Sequence, residues 1–160
     1  MAGTVQPGKY LVLVTGDVAP VQEALAAGLA SGSGAVVDHV FLPGVHPQVP
    51  AAIAAARQPA VDEALGIVET SSVAAAIQAA DAGLKAAQVT LLELRLADGL
   101  GGKGLAFFAG NVTDVEAAVD AACTLIDGGG NLLHAVVIPQ LHPDMAANLG
   151  QTTRFRGLAN

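Results

Sequence analysis

An internal repeat constrains the fold of this chain more than any other feature. Residues 8–25 (GKYLVLVTGDVAPVQEAL) align with residues 102–119 (GKGLAFFAGNVTDVEAAV) at an offset of 94 residues. After a two-residue slip in a glycine-rich turn, LPGVHP at 42–47 matches IPQLHP at 138–143. A repeat of this length indicates one supersecondary unit that the chain uses twice.

Each copy predicts a strand, a helix and a second strand. Short apolar runs that end near glycine favour the first strands. In the second copy Thr113 and Glu116 predict a capping box, and in the first copy Pro20 takes a first-turn position of the helix. Pro43 and Pro139 should end the second strands, because proline has no N–H for the ladder. The strands are predicted at Tyr10–Thr15, Val36–Leu42, Leu105–Ala109 and Leu132–Ile138.

A further strand–helix–strand segment occurs only before the second copy. It is predicted as a strand over Leu65–Glu69, a helix over Ser71–Ala87 and a strand over Val89–Leu96. On this helix Asp81 and Lys85 form an i,i+4 pair on the face opposite the apolar stripe. The buried stripe is predicted to be Val73, Ile77, Ala80 and Leu84.

These elements predict an α/β fold, a ferredoxin-like βαββαβ sandwich that follows a half copy (βαβ) of the same unit. The expected division is a partial domain at 8–47, a linker at 48–63, a complete domain at 64–146 and a tail at 147–160. Ferredoxin-like sheets have the strand order 4-1-3-2, so the two strands of the half copy are not neighbours. The first seven residues are too few to supply a strand, a helix and a second strand. We therefore expect an open groove in the half copy, or a strand inserted from the linker or another subunit.

Composition and charge exclude several function classes. The chain is 52% hydrophobic and 13% charged, which suits a folded core. Its net charge is −7 and its seven Lys and Arg residues are dispersed, which argues against nucleic acid and anionic membranes as partners. No apolar run approaches the ~20 residues of a spanning helix, and no signal peptide is recognised. Together with a single cysteine, Cys123, these features indicate a cytosolic protein.

No catalytic or metal-binding set emerges from the sequence. The loop GLGGKG at 99–104 lacks the spacing and the Ser or Thr of a phosphate-binding P-loop. His46 and His142 repeat, but neither has a second ligand at metal-site spacing, so a role in a turn or at a subunit edge is favoured. No Ser/His/Asp, Cys/His or paired-carboxylate arrangement is present. The chain is therefore predicted not to be an enzyme.

Four stretches in order resemble the bacterial microcompartment (BMC) shell-protein domain. They are ALGIVET at 64–70, AAIQAADAGLKAAQVTLLELRL at 75–96, GNVTDVEAAVDAA at 110–122 and VIPQLHP at 137–143. The half copy, with GSGAVVDHVFLP at 32–43, resembles part of the first domain of tandem-domain shell proteins. Members of that type assemble as trimers that mimic the hexamers of single-domain shell proteins. The resemblance implies a homotrimeric, pseudohexameric tile.

The resemblance also implies two kinds of site. The family's pore loop corresponds to Asp98–Lys103, with the equivalent loop at Pro7–Lys9, and its tile-edge lysine corresponds to Lys85. The edge element that holds Gln140 and His142 departs from the family, which often has an Arg where this chain has Gln140 and, in the first copy, Gly44. The residues implied to line the pore are Pro7, Gly8, Lys9, Asp98, Gly99, Leu100, Gly101, Gly102 and Lys103.

The function that the resemblance implies is structural. The chain would form part of the shell of a microcompartment in the bacterial cytoplasm, with hexameric and pentameric shell proteins as partners and a central pore for metabolites. Relatives that hold an iron–sulfur cluster use a pore-loop cysteine. Cys123 lies on a predicted helix, so no cofactor is expected. The alternative is a trimeric regulator of the PII type, which binds nucleotides between its subunits.

Overall fold

A computed structural model of the chain describes residues 1–5, 8–54, 64–97 and 99–149. Five helices and six strands are assigned within these ranges. In chain order they are β1 (Ala2–Val5), β2 (Lys9–Val12), α1 (Val18–Ser31), α2 (Gln48–Ile53), β3 (Ala64–Thr70), α3 (Val73–Ala86), β4 (Thr90–Leu96), β5 (Gly104–Gly110), α4 (Val112–Asp127), β6 (Leu132–Ile138) and α5 (Pro143–Leu149).

The second copy and the segment before it form a four-stranded sheet. Its order is β4-β5-β3-β6, and every neighbouring pair is antiparallel. Read from β6, this is the 4-1-3-2 order of the ferredoxin-like sandwich, so the predicted fold class is confirmed. The central strands β3 and β5 are almost continuously buried, as expected for strands covered on both faces.

Two apolar clusters cover the two faces of this sheet. Helices α3 and α4 form the larger cluster with side chains such as Val68 and Phe108. The smaller cluster on the other face holds Leu65, Phe107 and Leu141, with side chains of α5 packed against it. The predicted stripe of α3 is confirmed, since Val73, Ile77, Ala80 and Leu84 are all buried.

Short polar side chains set the first residues of α3 and α4. The Ser72 hydroxyl accepts a hydrogen bond from the Ala75 N–H at 3.1 Å. The Asn111 side chain accepts one from the Asp114 N–H at 2.9 Å. The predicted capping role of Thr113 is therefore wrong. Asn111 reaches the free N–H three residues ahead as soon as the chain leaves β5, so α4 begins before Thr113.

Helices α3 and α4 approach closely at Gly83. A Cβ atom at this position would lie 2.7 Å from Cζ of Phe108 and 3.1 Å from the backbone oxygen of Ala118. Both neighbours are fully buried, so neither can move into solvent. The absence of a side chain at Gly83 lets the backbone of α3 rest directly on the core and on α4.

The first copy is less regular than the second. β1 pairs with β2 from Ala2 opposite Val12 to Val5 opposite Lys9. This strand was not predicted, and it corresponds to the end of β4 in the β4–β5 hairpin. The predicted strand at Val36–Leu42 is wrong, because these residues form no strand pairing. In the second copy β3 lies between β5 and β6 and pairs with both, and the described part of the chain offers no such strand to the first copy.

Equivalent positions of the two copies differ strongly in burial. Val12 and Val14 are 60% and 53% exposed, whereas their counterparts Ala106 and Phe108 are 0% exposed. Helix α1 has no buried residue, whereas its counterpart α4 buries five. Within the described residues no strand or helix takes the place of β3 and α3 over the first copy, which agrees with an open groove, one of the two outcomes expected from the sheet order.

The first copy is nevertheless docked onto the second. Leu11, Leu13, Val40 and Leu42 pack against the larger core cluster. Helix α2, in the segment predicted as a linker, buries Val49 and packs against β4, where Gln48 Oε1 accepts a hydrogen bond from the Leu91 N–H at 2.9 Å. The rest of that segment, 55–63, lies outside the described residues. Helix α5 continues to Leu149, past residue 146, and the division into domains stays a prediction.

We expect Gly83→Ala to destabilise the protein. The added methyl group would overlap the Phe108 ring and crowd the α4 backbone, so the helix pair must move apart. Overpacking of this kind costs about 1–3 kcal/mol in free energy of unfolding. Urea denaturation followed by far-UV circular dichroism measures the change.

Gly28→Ala is the matched control for that experiment. Gly28 also lies inside a helix, α1, but a Cβ there would meet nothing within 4 Å. Its replacement should leave stability unchanged or raise it by about 0.5–1 kcal/mol, through helix propensity alone. Equal effects of the two substitutions would contradict the close packing at Gly83.

Candidate functional site

The loop between β4 and β5, residues 97–103, is a tight glycine-rich turn, named here the glycine loop. The Ala97 N–H donates to the Lys103 carbonyl at 3.0 Å and closes the loop. Gly99, Gly101 and Gly102 all have positive φ angles, which residues with a side chain rarely adopt. The loop can therefore turn on itself at the tip of the hairpin. Asp98, predicted to line a pore here, lies outside the described residues.

Lys103, the last residue of the glycine loop, forms an ion pair. Its Nζ lies 2.9 Å from Oε1 of Glu69, near the end of β3. The Lys103 side chain is 47% exposed, so the pair lies at the surface and its charges are open to solvent. Sequence reasoning missed Glu69, although it is the only acidic residue of the predicted strand Leu65–Glu69.

In the first copy, too, a glycine with a positive φ angle lies just before the second strand of a hairpin. Gly8 has a φ angle of +67°, and its counterpart Gly102 has one of +90°. Each glycine directly precedes a lysine, Lys9 or Lys103, at the start of the second strand of a hairpin. The chain therefore presents two equivalent hairpin tips with a lysine in the same position. Pro7, the other residue predicted here, lies outside the described residues.

Lys85 lies at the surface of α3, with 44% of its side chain exposed. Its Nζ is 2.5 Å from Oδ2 of Asp81, which confirms the predicted i,i+4 pair. The two residues do not share a solvated face as predicted, because Asp81 is buried. The turn at residues 43–47, named here the His46 turn, lies against Asp81, and its His46 N–H donates to Oδ1 of Asp81 at 2.7 Å.

The repeated histidines lie just before short helices and accept hydrogen bonds from N–H groups of their first turns. Nδ1 of His46 accepts a hydrogen bond from the Gln48 N–H at 3.3 Å, at the start of α2. Nδ1 of His142 accepts one from the Asp144 N–H at 3.2 Å, at the start of α5. The repeated His-Pro pair thus places a helix-capping imidazole after each copy. Within the described residues no group of three or more His, Cys, Asp or Glu side chains is placed to hold a metal ion.

The predicted edge residues remain separate in the single chain. Gln140 and His142 are exposed, as Lys85 is. Among the residues that the structure describes, no hydrogen bond or ion pair joins Lys85 to either of them. Their participation in one tile edge stays a prediction.

Two further polar contacts were not anticipated from the sequence. The Ser72 hydroxyl donates to Oδ2 of Asp38, so the first copy is bonded to the N-terminal end of α3. On the face of the sheet away from α3 and α4, the Arg95 guanidinium lies 5.2 Å from the centre of the Phe107 ring and pairs with Glu93 at 3.0 Å. The Ser72–Asp38 and Arg95–Phe107 contacts depend on tertiary structure and have no local sequence pattern, whereas Glu93 and Arg95 share a face of β4 at i,i+2 spacing.

Comparison with known proteins defines the class of this fold. Residues 1–45 and 64–141 match the BMC domain family. The chain is 42% identical to the bacterial microcompartment shell protein PduT of Citrobacter freundii over 89% of this chain and 77% of PduT. The shell protein EutM of Salmonella typhimurium is 39% identical over 52% of this chain and 84% of EutM. A microcompartment protein from Desulfitobacterium hafniense DCB has a similar crystal structure, with a TM-score of 0.82 and 44% identity over 92% of this chain and 82% of that one.

The chain therefore belongs to the BMC domain family. Its match in two segments agrees with the tandem arrangement that the internal repeat predicts. It is a structural shell protein of a bacterial microcompartment, and these relatives favour that function over the regulator of the PII type. Within the described ranges no helix is long and apolar enough to cross a membrane.

Cys123 should react slowly with thiol reagents. It is half-buried on α4, and burial, followed by the nearby Asp120 and Asp127 carboxylates, raises the pKa of its thiol. A raised pKa lowers the thiolate fraction at any given pH below it, and the thiolate is the nucleophile. At about pH 8, below the ordinary thiol pKa, iodoacetamide should alkylate the folded protein more slowly than the same protein in urea. The rate should still be rising with pH above the ordinary thiol range.

Asp120→Asn tests the causes of this shift. It removes one of the two carboxylates but leaves burial, the largest cause, in place. Alkylation of the folded variant should become faster but stay slower than in urea. A folded wild-type protein that reacts as fast as the unfolded one would contradict the prediction.

Proposed function

We propose that three copies of the chain form a pseudohexameric tile, and that these tiles join hexameric and pentameric shell proteins in the wall of a microcompartment in the bacterial cytoplasm. The tile has a central pore through which small metabolites pass. It works through assembly and selective passage, without catalysis.

The observation that carries this proposal is the pair of equivalent hairpin tips. A chain with two similar units can occupy two neighbouring positions of a ring, so a trimer has the pseudo-sixfold arrangement of a hexamer of single units. The relatives support this view, since about half of this chain corresponds to most of EutM. In such a ring Lys9 and Lys103 alternate around the axis.

The charges of the glycine loop would set the selectivity of the pore. A ring of like charges at a narrow opening favours ions of opposite sign. Lys103 contributes a positive charge that is half exposed, and Glu69 balances it from behind at 2.9 Å. Removal of the lysine charge would leave the carboxylate of Glu69 facing the opening.

Lys85 would lie at the outer edge of the tile and meet neighbouring tiles. Its ammonium sits at the surface of α3, while the apolar stripe of the same helix is buried in the core. A change at this position can therefore alter contacts between tiles while the apolar stripe of α3 stays buried in the core. Gln140 and His142 are proposed to lie at the same edge.

Lys85→Glu should block tiling and leave the trimer intact. The substitution reverses an exposed charge at the proposed edge, next to the carboxylate of Asp81. Analytical ultracentrifugation should show the trimer mass, whereas negative-stain electron microscopy should show no sheets or tubes at concentrations where the wild type forms them.

Lys103→Glu is the matched control, because it reverses the charge of a lysine in the same way. It alters the proposed pore and not the proposed edge, so sheets should still form. The edge role of Lys85 is wrong if Lys85→Glu tiles as the wild type does, or if Lys103→Glu blocks tiling equally.

Lys103→Gln should shift the pore towards cations. It removes a positive charge from the loop and leaves the Glu69 carboxylate without its ion-pair partner. Tiles reconstituted in a planar lipid bilayer should show a lower ratio of chloride to potassium permeability than wild-type tiles.

Lys85→Gln serves as the control for permeability, because it removes the same charge far from the proposed pore. Its single-pore permeability ratio should equal that of the wild type. A ratio that does not change in Lys103→Gln would exclude Lys103 from the pore lining.

A further inference from the structure

Asp81 has a buried carboxylate, and each of its two oxygens has a polar partner. Only 4% of the residue is exposed, although it lies on α3 beside the half-exposed Lys85. Oδ1 accepts a hydrogen bond from the His46 N–H at 2.7 Å, and Oδ2 pairs with Lys85 Nζ at 2.5 Å. One carboxylate therefore bonds a backbone group of the first copy and a side chain of the second.

The burial of Asp81 depends on both bonds. A carboxylate removed from water is costly unless charged and polar groups replace its hydration. The His46 turn covers Asp81 and satisfies one oxygen, and the Lys85 ammonium satisfies the other. Lys85 in turn gains a fixed position, since a free lysine side chain would sample many rotamers in water.

Hydrogen bonds fix the chain both before and after the His46 turn. Before it, Asp38 accepts a hydrogen bond from the Ser72 hydroxyl at the N-terminal end of α3. After it, Gln48 accepts one from the Leu91 N–H of β4 at 2.9 Å. The position of the turn over Asp81 therefore depends on how the first copy docks on α3 and β4.

We propose that Asp81 is a positioning residue that couples docking of the first copy to the position of the Lys85 ammonium. When the His46 turn is docked, Asp81 is buried and holds Lys85 at one point on the surface of α3. When the turn moves away, water reaches Asp81 and the lysine is released. The consequence for tiling rests on the proposed edge role of Lys85.

Asp81→Asn separates the two bonds of the carboxylate. The asparagine keeps an oxygen that can accept the His46 N–H, but it loses the negative charge that holds Lys85. In trimers kept below the concentration for tiling, the rate of Lys85 acetylation by an amine-reactive ester, followed by mass spectrometry, should rise about two- to fivefold, the range for a part-exposed ion pair. Acetylation of Lys103, measured in the same sample, should not change.

Assembly provides the second measurement on the same variant. Asp81→Asn trimers should need a higher protein concentration than wild-type trimers to form sheets, by about the same factor. The matched control is Asp120→Asn, which removes one charge from the exposed side of α4. It should leave both Lys85 acetylation and sheet formation unchanged.

Asp38→Ala tests the coupling without touching Asp81 or Lys85. It removes the bond to Ser72 and should loosen the His46 turn, so Lys85 acetylation should rise in the same direction as in Asp81→Asn. If Asp81→Asn fails to fold as a trimer, Asp38→Ala alone tests the coupling between the His46 turn and Lys85. Unchanged Lys85 acetylation in Asp38→Ala, or in a folded Asp81→Asn trimer, would overturn the proposal.

If the proposed edge role of Lys85 is wrong, the variants give a different set of results. If Lys85→Gln forms sheets as the wild type does, Lys85 is not an edge residue, whatever its acetylation rate shows about Asp81. If Lys85→Gln blocks tiling but Asp81→Asn tiles normally with unchanged acetylation, the edge role stands and the positioning role of Asp81 is wrong.

Discussion

The pairing of the central strand β3 on both of its edges is the constraint on which the rest of this structure depends. β3 joins β5 on one side and β6 on the other, and its Gly66 lies directly beneath Val115 and Val119 of α4. The second copy is therefore a closed sandwich. The first copy has a hairpin and a helix of the same design but no described central strand, and its valines remain exposed. Among the described residues, β3 and α3 of the second copy have no counterparts in the first, and this difference separates a buried unit from an open one of similar sequence.

Helix α3 is the support that both units share. Its apolar stripe belongs to the core of the second copy, whereas its polar groups form hydrogen bonds with the first copy. Ser72 at its N-terminal end bonds Asp38, and Asp81 near its C-terminal end bonds the His46 turn. The lysine proposed to act at the tile edge is on the same helix. The fold of the second unit, the docking of the first and the surface charge at Lys85 consequently depend on one element.

The sequence predicted the features that repeat or that follow a regular period. The internal repeat, the 4-1-3-2 order and the buried stripe of α3 follow from patterns that packing preserves. The strand at Val36–Leu42 was predicted wrongly because its apolar pattern is intact while its partner strand is not among the described residues. The cap of α4 was predicted at the wrong residue because two capping side chains lie close together in the sequence. Asn111, two residues before Thr113, accepts the Asp114 N–H and so caps the helix. The burial of Asp81 and the partnership of Glu69 with Lys103 arise from contacts between distant segments, which periodicity cannot show.

The covalent link between the two copies has a kinetic consequence. In a ring of separate single units, every junction between neighbours forms at a rate that depends on protein concentration. Here the junction between the His46 turn and α3 forms within one chain, where tethering by a short segment gives an effective concentration in the ~mM range. That junction can be complete before any second molecule is encountered. Dilution therefore does not weaken this contact.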